Sequence, residues 1–220
     1  VTRVFAGTLA LLLALHMPGL QAEVVISTLP NTNLGGSTIS DTVWKAMLFT
    51  TGSSPTQLDS VVVGLNPDPT TEATPFTQQV KVSLFSVSGG NPDTELLTTG
   101  LVSVTMQARQ DVYTFLDASS FAMASNTPYA LVLSSDISLI KWGSNGASST
   151  TPTASSGFAY NTFLQSSNTG SSWTTSLATN NAFAISVVPE PSQLALLAMG
   201  AVGSWWAFRG RRRRRDSRRD

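Results

Sequence analysis

Between residues 23 and 187, apolar side chains alternate with Ser, Thr and other polar residues, and clusters of Gly, Pro and Asn punctuate the alternation. A period of two places every second side chain on the same face of an extended strand, so this pattern predicts short strands with one buried and one wet face. The segment 79–85 is the clearest case, with Val80, Val82 and Leu84 on one face and Gln79, Lys81 and Ser83 on the other, before Phe85 interrupts the polar set. The same reading predicts strands over 23–29, 44–51, 58–65, 78–86, 96–106, 111–115, 128–134, 138–142, 156–163 and 182–187. Turns are expected at Gly35-Gly36, Asn66-Pro67-Asp68-Pro69 and Gly89-Gly90-Asn91-Pro92-Asp93, where Gly permits positive φ, Pro fixes φ and Asn or Asp bonds its own backbone. Two stretches poor in apolar residues, 144–156 and 165–172, read as surface loops. About ten short strands separated by such turns predict an all-β fold, an antiparallel β-sandwich, with a closed barrel as the alternative the pattern also permits.

The two ends break this pattern. Arg3 precedes an apolar run over 5–15, and His16-Met17-Pro18-Gly19-Leu20-Gln21-Ala22 ends it on a small residue, the layout of a secretory signal peptide cleaved after Ala22. At the other end, Pro189-Glu190-Pro191 removes two backbone donors and should stop the last strand. Residues 194–208 then contain no charge, and Leu194, Leu196, Leu197, Trp205, Trp206 and Phe208 are the expected membrane contacts. As a helix this run spans about 22 Å against a hydrocarbon core of about 30 Å, a shortfall met by residues 191–193 and local thinning. Arg209, Arg211, Arg212, Arg213, Arg214 and Arg215 follow, and the positive-inside rule holds them in the cytoplasm. The expected organisation is a signal peptide over 1–22, an extracytoplasmic β domain over 23–187 and a sorting and anchoring segment over 188–220.

Charge supports that division. The chain has 13 Lys and Arg against 13 Asp and Glu, yet eight of the Arg lie between 209 and 219. Within 23–187 only Lys45, Lys81, Arg109 and Lys141 oppose ten acidic residues, a net charge of −6. Such a domain has no basic face to neutralise phosphates, so nucleic acid is excluded as a partner. The chain has no Cys, and its one His is His16, inside the predicted signal peptide.

A domain without His or Cys cannot host a Ser-His-Asp triad, a Cys nucleophile or a His-bearing zinc site. No nucleophile elbow, P-loop or dinucleotide glycine pattern occurs, so no catalytic residue, metal or cofactor is assigned. Glycoside hydrolysis needs only two carboxylates, for which Glu72 and Glu95 are the candidate glutamates. Calcium could draw on Asn66, Asp68 and Glu72, or on Asn91, Asp93 and Glu95, if these lie on loops. Trp44, Trp142 and Trp173 are candidates for stacking on a sugar ring, and Trp173, beside Gly170-Ser171-Ser172, is expected to be the best exposed of them.

The order of Pro189-Glu190-Pro191, an apolar helix and an Arg cluster resembles the PEP-CTERM family of sorting signals. That resemblance implies an exosortase, a membrane-embedded cysteine transpeptidase of Gram-negative bacteria, as processing partner, with Pro189, Glu190 and Pro191 as recognition motif. It further implies a final location at the cell surface or in the extracellular polysaccharide of a biofilm. Leu58-Asp59-Ser60-Val61-Val62-Val63, Val82-Ser83-Leu84-Phe85-Ser86 with Gly90-Asn91-Pro92, and Pro128-Tyr129-Ala130-Leu131-Val132-Leu133 before Trp142 resemble the choice-of-anchor group of exported β domains. The function expected is that of an exported, non-enzymatic surface or matrix protein; a carbohydrate- or calcium-binding module comes next, and a glycoside hydrolase third.

Overall fold

The computed structural model describes residues 21–29, 33–67, 75–106, 111–137, 140–144, 152–176 and 181–189. The expected signal peptide, Glu72, and every residue of the sorting segment after Pro189 lie outside these.

Among the described residues the chain forms strands β1 (Glu23–Ser27), β2 (Asn33–Ile39), β3 (Trp44–Thr50), β4 (Thr56–Pro67), β5 (Phe76–Ser88), β6 (Asn91–Met106), β7 (Asp111–Met123), β8 (Pro128–Ser135), β9 (Ile140–Ser144), β10 (Thr153–Ala154), β11 (Ala159–Ser166), β12 (Thr174–Thr175) and β13 (Phe183–Pro189). They build two antiparallel sheets packed as a sandwich. The first runs β10-β1-β13-β4-β9-β2, with β7 paired to β4, and the second runs β12-β11-β3-β8-β5-β6. The all-β sandwich expected from the alternation is therefore the observed fold, and the barrel alternative falls away because the two sheets are separate.

The alternation explains the core. Val80, Val82 and Leu84 of β5 turn inward with Met47 and Phe49 of β3, and Leu131 and Leu133 of β8. Opposite them are Leu58, Val61, Val63 and Leu65 of β4, and Phe183, Ile185 and Val187 of β13. Phe85 does not end the pattern: it falls in step with Lys81 and Ser83 and, with Val87, packs on the outside of the second sheet.

The expected turns are each corrected in part. Gly35-Gly36 is not a turn but part of β2, which pairs with β9 through an irregular register between Asn33 and Gly36. A Cβ on Gly36 would stand 2.3 Å from the Trp142 carbonyl oxygen, so this glycine marks the close approach of two backbones. The segment 89–93 closes in only two residues, Gly89 and Gly90, whose φ of 57° and 79° suit the tight hairpin between β5 and β6. Pro92 and Asp93 consequently belong to β6. Asn66 is likewise in β4, with its Nδ2 donating to the Gly35 carbonyl at 2.7 Å. The short strands β10 and β12 lie in Ser- and Thr-rich stretches without an apolar alternation to announce them.

Trp142 of β9 is fully buried, and its ring meets Phe163 and Phe183 edge-on at centroid distances of 5.9 and 6.3 Å. Its Nε1 donates to the Ala182 carbonyl at 3.0 Å. Trp142→Ala should cost about 3–5 kcal/mol, as large aromatic truncations in cores do, and lower the Tm of the full-length chain by about 6–20 °C. Trp142→Phe should cost less, since the Gly64 N–H still reaches the Ala182 carbonyl at 2.8 Å. Equal Tm values for the two variants in thermal unfolding would contradict this assignment.

Candidate functional site

Strands β3 and β8 are apolar on both faces. Their outward side chains Ala46, Leu48, Ala130 and Val132 join Leu164 of β11 in a second apolar cluster on the outer surface of the second sheet. These five are at most 5 % exposed because Trp44, Phe85, Val87 and Trp173 lie over and around them. Trp173 is thus not the free-standing aromatic expected; it is half-buried, and its Nε1 is enclosed without an acceptor in the protein.

The segment after β11 holds this arrangement. The Ser166 hydroxyl donates to Asn168 Oδ1 at 2.8 Å and accepts the Gly170 N–H at 2.9 Å. Asn168 Oδ1 also accepts the Ser172 N–H at 3.0 Å, and the Thr169 N–H donates to the Thr42 carbonyl at 3.1 Å. Thr169 is held at a φ of 57°, which a β-branched side chain rarely adopts, and Gly170 at 83°. The glycine is required: a Cβ there would stand 2.9 Å from two carbons of the Trp44 ring. Trp44 is fixed from its other side by the Nε1 bond to the Asp41 carbonyl at 2.9 Å.

Together these residues line an open groove of about 300 Å³, whose apolar lining includes Trp44, Phe85, Pro92 and Trp173 and whose polar lining includes Asp93, Glu95, Thr169 and Ser171. Glu95 forms an ion pair with Lys81 at 2.7 Å. The structure therefore brings four sequence candidates, Trp44, Trp173, Asp93 and Glu95, into one groove, and adds Phe85. The interruption of the polar set at Phe85 was the available signal for it.

The calcium reading of Asn91, Asp93 and Glu95 needs a loop, and β6 is extended there. At the usual strand rise Asn91 and Glu95 are about 13 Å apart, too far to ligate one ion at about 2.4 Å. Of the other set, Asn66 is buried within β4, with its Nδ2 on the Gly35 carbonyl, while Asp68 and Glu72 lie outside the described residues. Of the glutamate pair of a hydrolase, Glu72 lies outside the described residues, and Glu95 is exposed and paired with Lys81.

The second notable region is the end of the first sheet. Val187 faces both Glu23 of β1 and Leu58 of β4, Val188 faces Gln57, and Pro189 faces Thr56. A cavity of about 350 Å³ opens beside them, lined by Gln21, Glu23, Ser53, Ser54, Pro55, Thr56, Ser156 and Phe158 as well as Val187. Glu23 accepts hydrogen bonds there from the Ser155 and Ser156 hydroxyls at 3.1 and 2.7 Å. Strand β13 thus continues two residues beyond its expected end at 187, and its last residue is the first proline of the Pro-Glu-Pro triplet.

Residues 187–214 match the family model of the PEP-CTERM protein-sorting motif. The chain carries a PEP-CTERM sorting motif. The match spans Pro189, Glu190 and Pro191, the apolar run with Leu194, Leu196, Leu197, Trp205, Trp206 and Phe208, and the arginines through Arg214, stopping short of Arg215. It marks an exported protein, membrane-anchored as a precursor, and implies an exosortase-type membrane enzyme as the processing partner. No curated protein matches the chain. Among the described residues no helix is long and apolar enough to cross a membrane; the expected helix over 194–208 lies outside them.

Strand β3 also buries a cation. Lys45 is 7 % exposed, and its ammonium donates to Gln165 Oε1 at 2.6 Å, an amide rather than a carboxylate. Burial pushes its pKa below the ordinary 10.5. The folded state then holds the proton less tightly than the unfolded chain, so the charged form costs stability at neutral pH and the cost disappears as pH rises from the lowered pKa to 10.5. Lys45→Met should raise the Tm at pH 7, with the gain shrinking as the pH approaches 10.5. A lower Tm for the Met variant at pH 7 would contradict this.

Proposed function

We propose that the chain is a non-enzymatic surface or matrix protein of a Gram-negative bacterium, delivered by its PEP-CTERM motif to an exosortase-type transpeptidase and then retained at the cell surface or in extracellular polysaccharide. The observation that carries the reading is the continuity of β13 with the motif: the matched segment begins at Val187, inside the sandwich, so the folded domain is presented directly at the processing site. Pro189, Glu190 and Pro191 form the recognition triplet, residues 194–208 the membrane segment, and Arg209 with Arg211, Arg212, Arg213, Arg214 and Arg215 the cytoplasmic stop.

The non-enzymatic part of the reading rests on the chemistry available. The domain has neither His nor Cys, and Glu95 is committed to Lys81. The resemblance to choice-of-anchor β domains stands on strand pattern alone and is consistent with a passive, displayed module.

Glu190→Ala together with Pro191→Ala leaves β13 intact while removing two of the three recognition residues. In cells that make the transpeptidase, this variant should accumulate at precursor mass in the membrane fraction, while the parent chain is shortened near the triplet. Shortening of parent and variant to the same extent would overturn the recognition role.

A further inference from the structure

We infer that the groove between Trp44, Phe85, Trp173 and the Asp93–Glu95 edge is a binding site for an uncharged polysaccharide. A sugar ring presents a face of C–H groups and a rim of hydroxyls, and the lining of this groove combines the partners of both: indole and phenyl rings from Trp44, Trp173 and Phe85, and polar residues that include the carboxylates Asp93 and Glu95. Carboxylates accept strongly from sugar hydroxyls, and an aromatic wall without them would suit a lipid or an apolar helix instead.

The groove is also preorganised. Its apolar floor needs a cover, but burial alone does not require Thr169 at a φ of 57° or a glycine pressed on Trp44. Strain of this kind persists where the surrounding structure enforces it and gathers at binding sites. Here the Ser166–Asn168 hydrogen bonds enforce it, so the aromatic walls are set before any ligand arrives.

Charge selects among polymers. Of the charged residues lining the groove both are acidic, Lys81 answers only Glu95, and the span 23–187 carries a net charge of −6. A polyuronate or sulfated polymer would meet repulsion along its length, whereas a neutral hexose polymer would not. The groove is open, which admits an internal stretch of a long chain and not merely an end.

The site rests on the matrix reading and deepens it by naming the class of polymer, and its test is independent of processing. The full-length chain, held in a polyoxyethylene detergent because glycoside detergents would compete, is run through gels containing a neutral glucan, a neutral galactomannan or the polyuronate alginate. At least one neutral polymer should retard it, and alginate should not. Trp44→Ala and Trp173→Ala should each weaken retardation about tenfold, consistent with roughly 1.4 kcal/mol for a lost aromatic contact. Asp93→Asn, an exposed change that leaves the apolar floor covered, should weaken it several-fold while the Tm stays unchanged. Absence of binding to both neutral polymers, binding of alginate as strong as theirs, or full binding by Asp93→Asn and Trp44→Ala would overturn the site and leave the groove to a polypeptide or to no ligand. Any of these leaves the mass of the processed chain, and so the sorting reading, untouched.

Discussion

Strand β13 is hydrogen-bonded on both sides, to β1 through Glu23–Val187, Val24–Ser186 and Ile26–Ile185, and to β4 from Phe183–Val63 through Pro189–Thr56. Because it is interior to its sheet, its inward residues Phe183, Ile185 and Val187 anchor the core shared by both sheets. It also receives the Trp142 ring against Phe183 and hands its neighbour's carbonyl, that of Ala182, to the indole N–H. The sorting motif is therefore not tethered to the domain by a free linker at its start. Its first three residues are ladder residues, and pulling them out would break pairings on which the core depends. A proline is tolerated at the last of these positions because a strand end has no further bond for its missing N–H to make.

The second sheet answers a different constraint. Strands β3 and β8 are apolar on both faces, so a sandwich with two sheets leaves one of those faces without a partner sheet. The chain covers it with its own aromatics and with the hydrogen-bonded segment after β11, instead of with a third layer. Covering an apolar strip with tryptophans at its border produces an amphipathic groove as a by-product, and the acidic edge of β6 supplies the polar wall. Function at that surface follows from the way the sheet's exposed face is closed.

The fold is legible in the sequence wherever burial is one-sided. In β5 and β4 the period of two is enough to name the core residues. It fails where local chemistry has two meanings. Gly35-Gly36 signals a turn in isolation, yet in β2 the same residues allow a neighbouring backbone within reach of Trp142. Pro92-Asp93 reads as turn chemistry, but the two glycines before it already close the hairpin. The groove is half legible: Trp173 and Glu95 are identifiable as residue types, but their meeting joins β6 to a segment far along the chain, and strand pairing at that range leaves no periodic trace in the sequence. That Trp173 is half-buried depends on Ala46, Leu48, Ala130 and Val132 facing outward, which the apolar runs of β3 and β8 do announce.

Amide hydrogen exchange of the full-length chain reads out whether the PEP-CTERM motif begins inside the folded sheet. The amides of Val187 and Val188 should exchange as slowly as that of Ile185, through opening of the sandwich as a unit. Exchange of Val187 and Val188 at the rate of an unprotected chain, with Ile185 still protected, would contradict it.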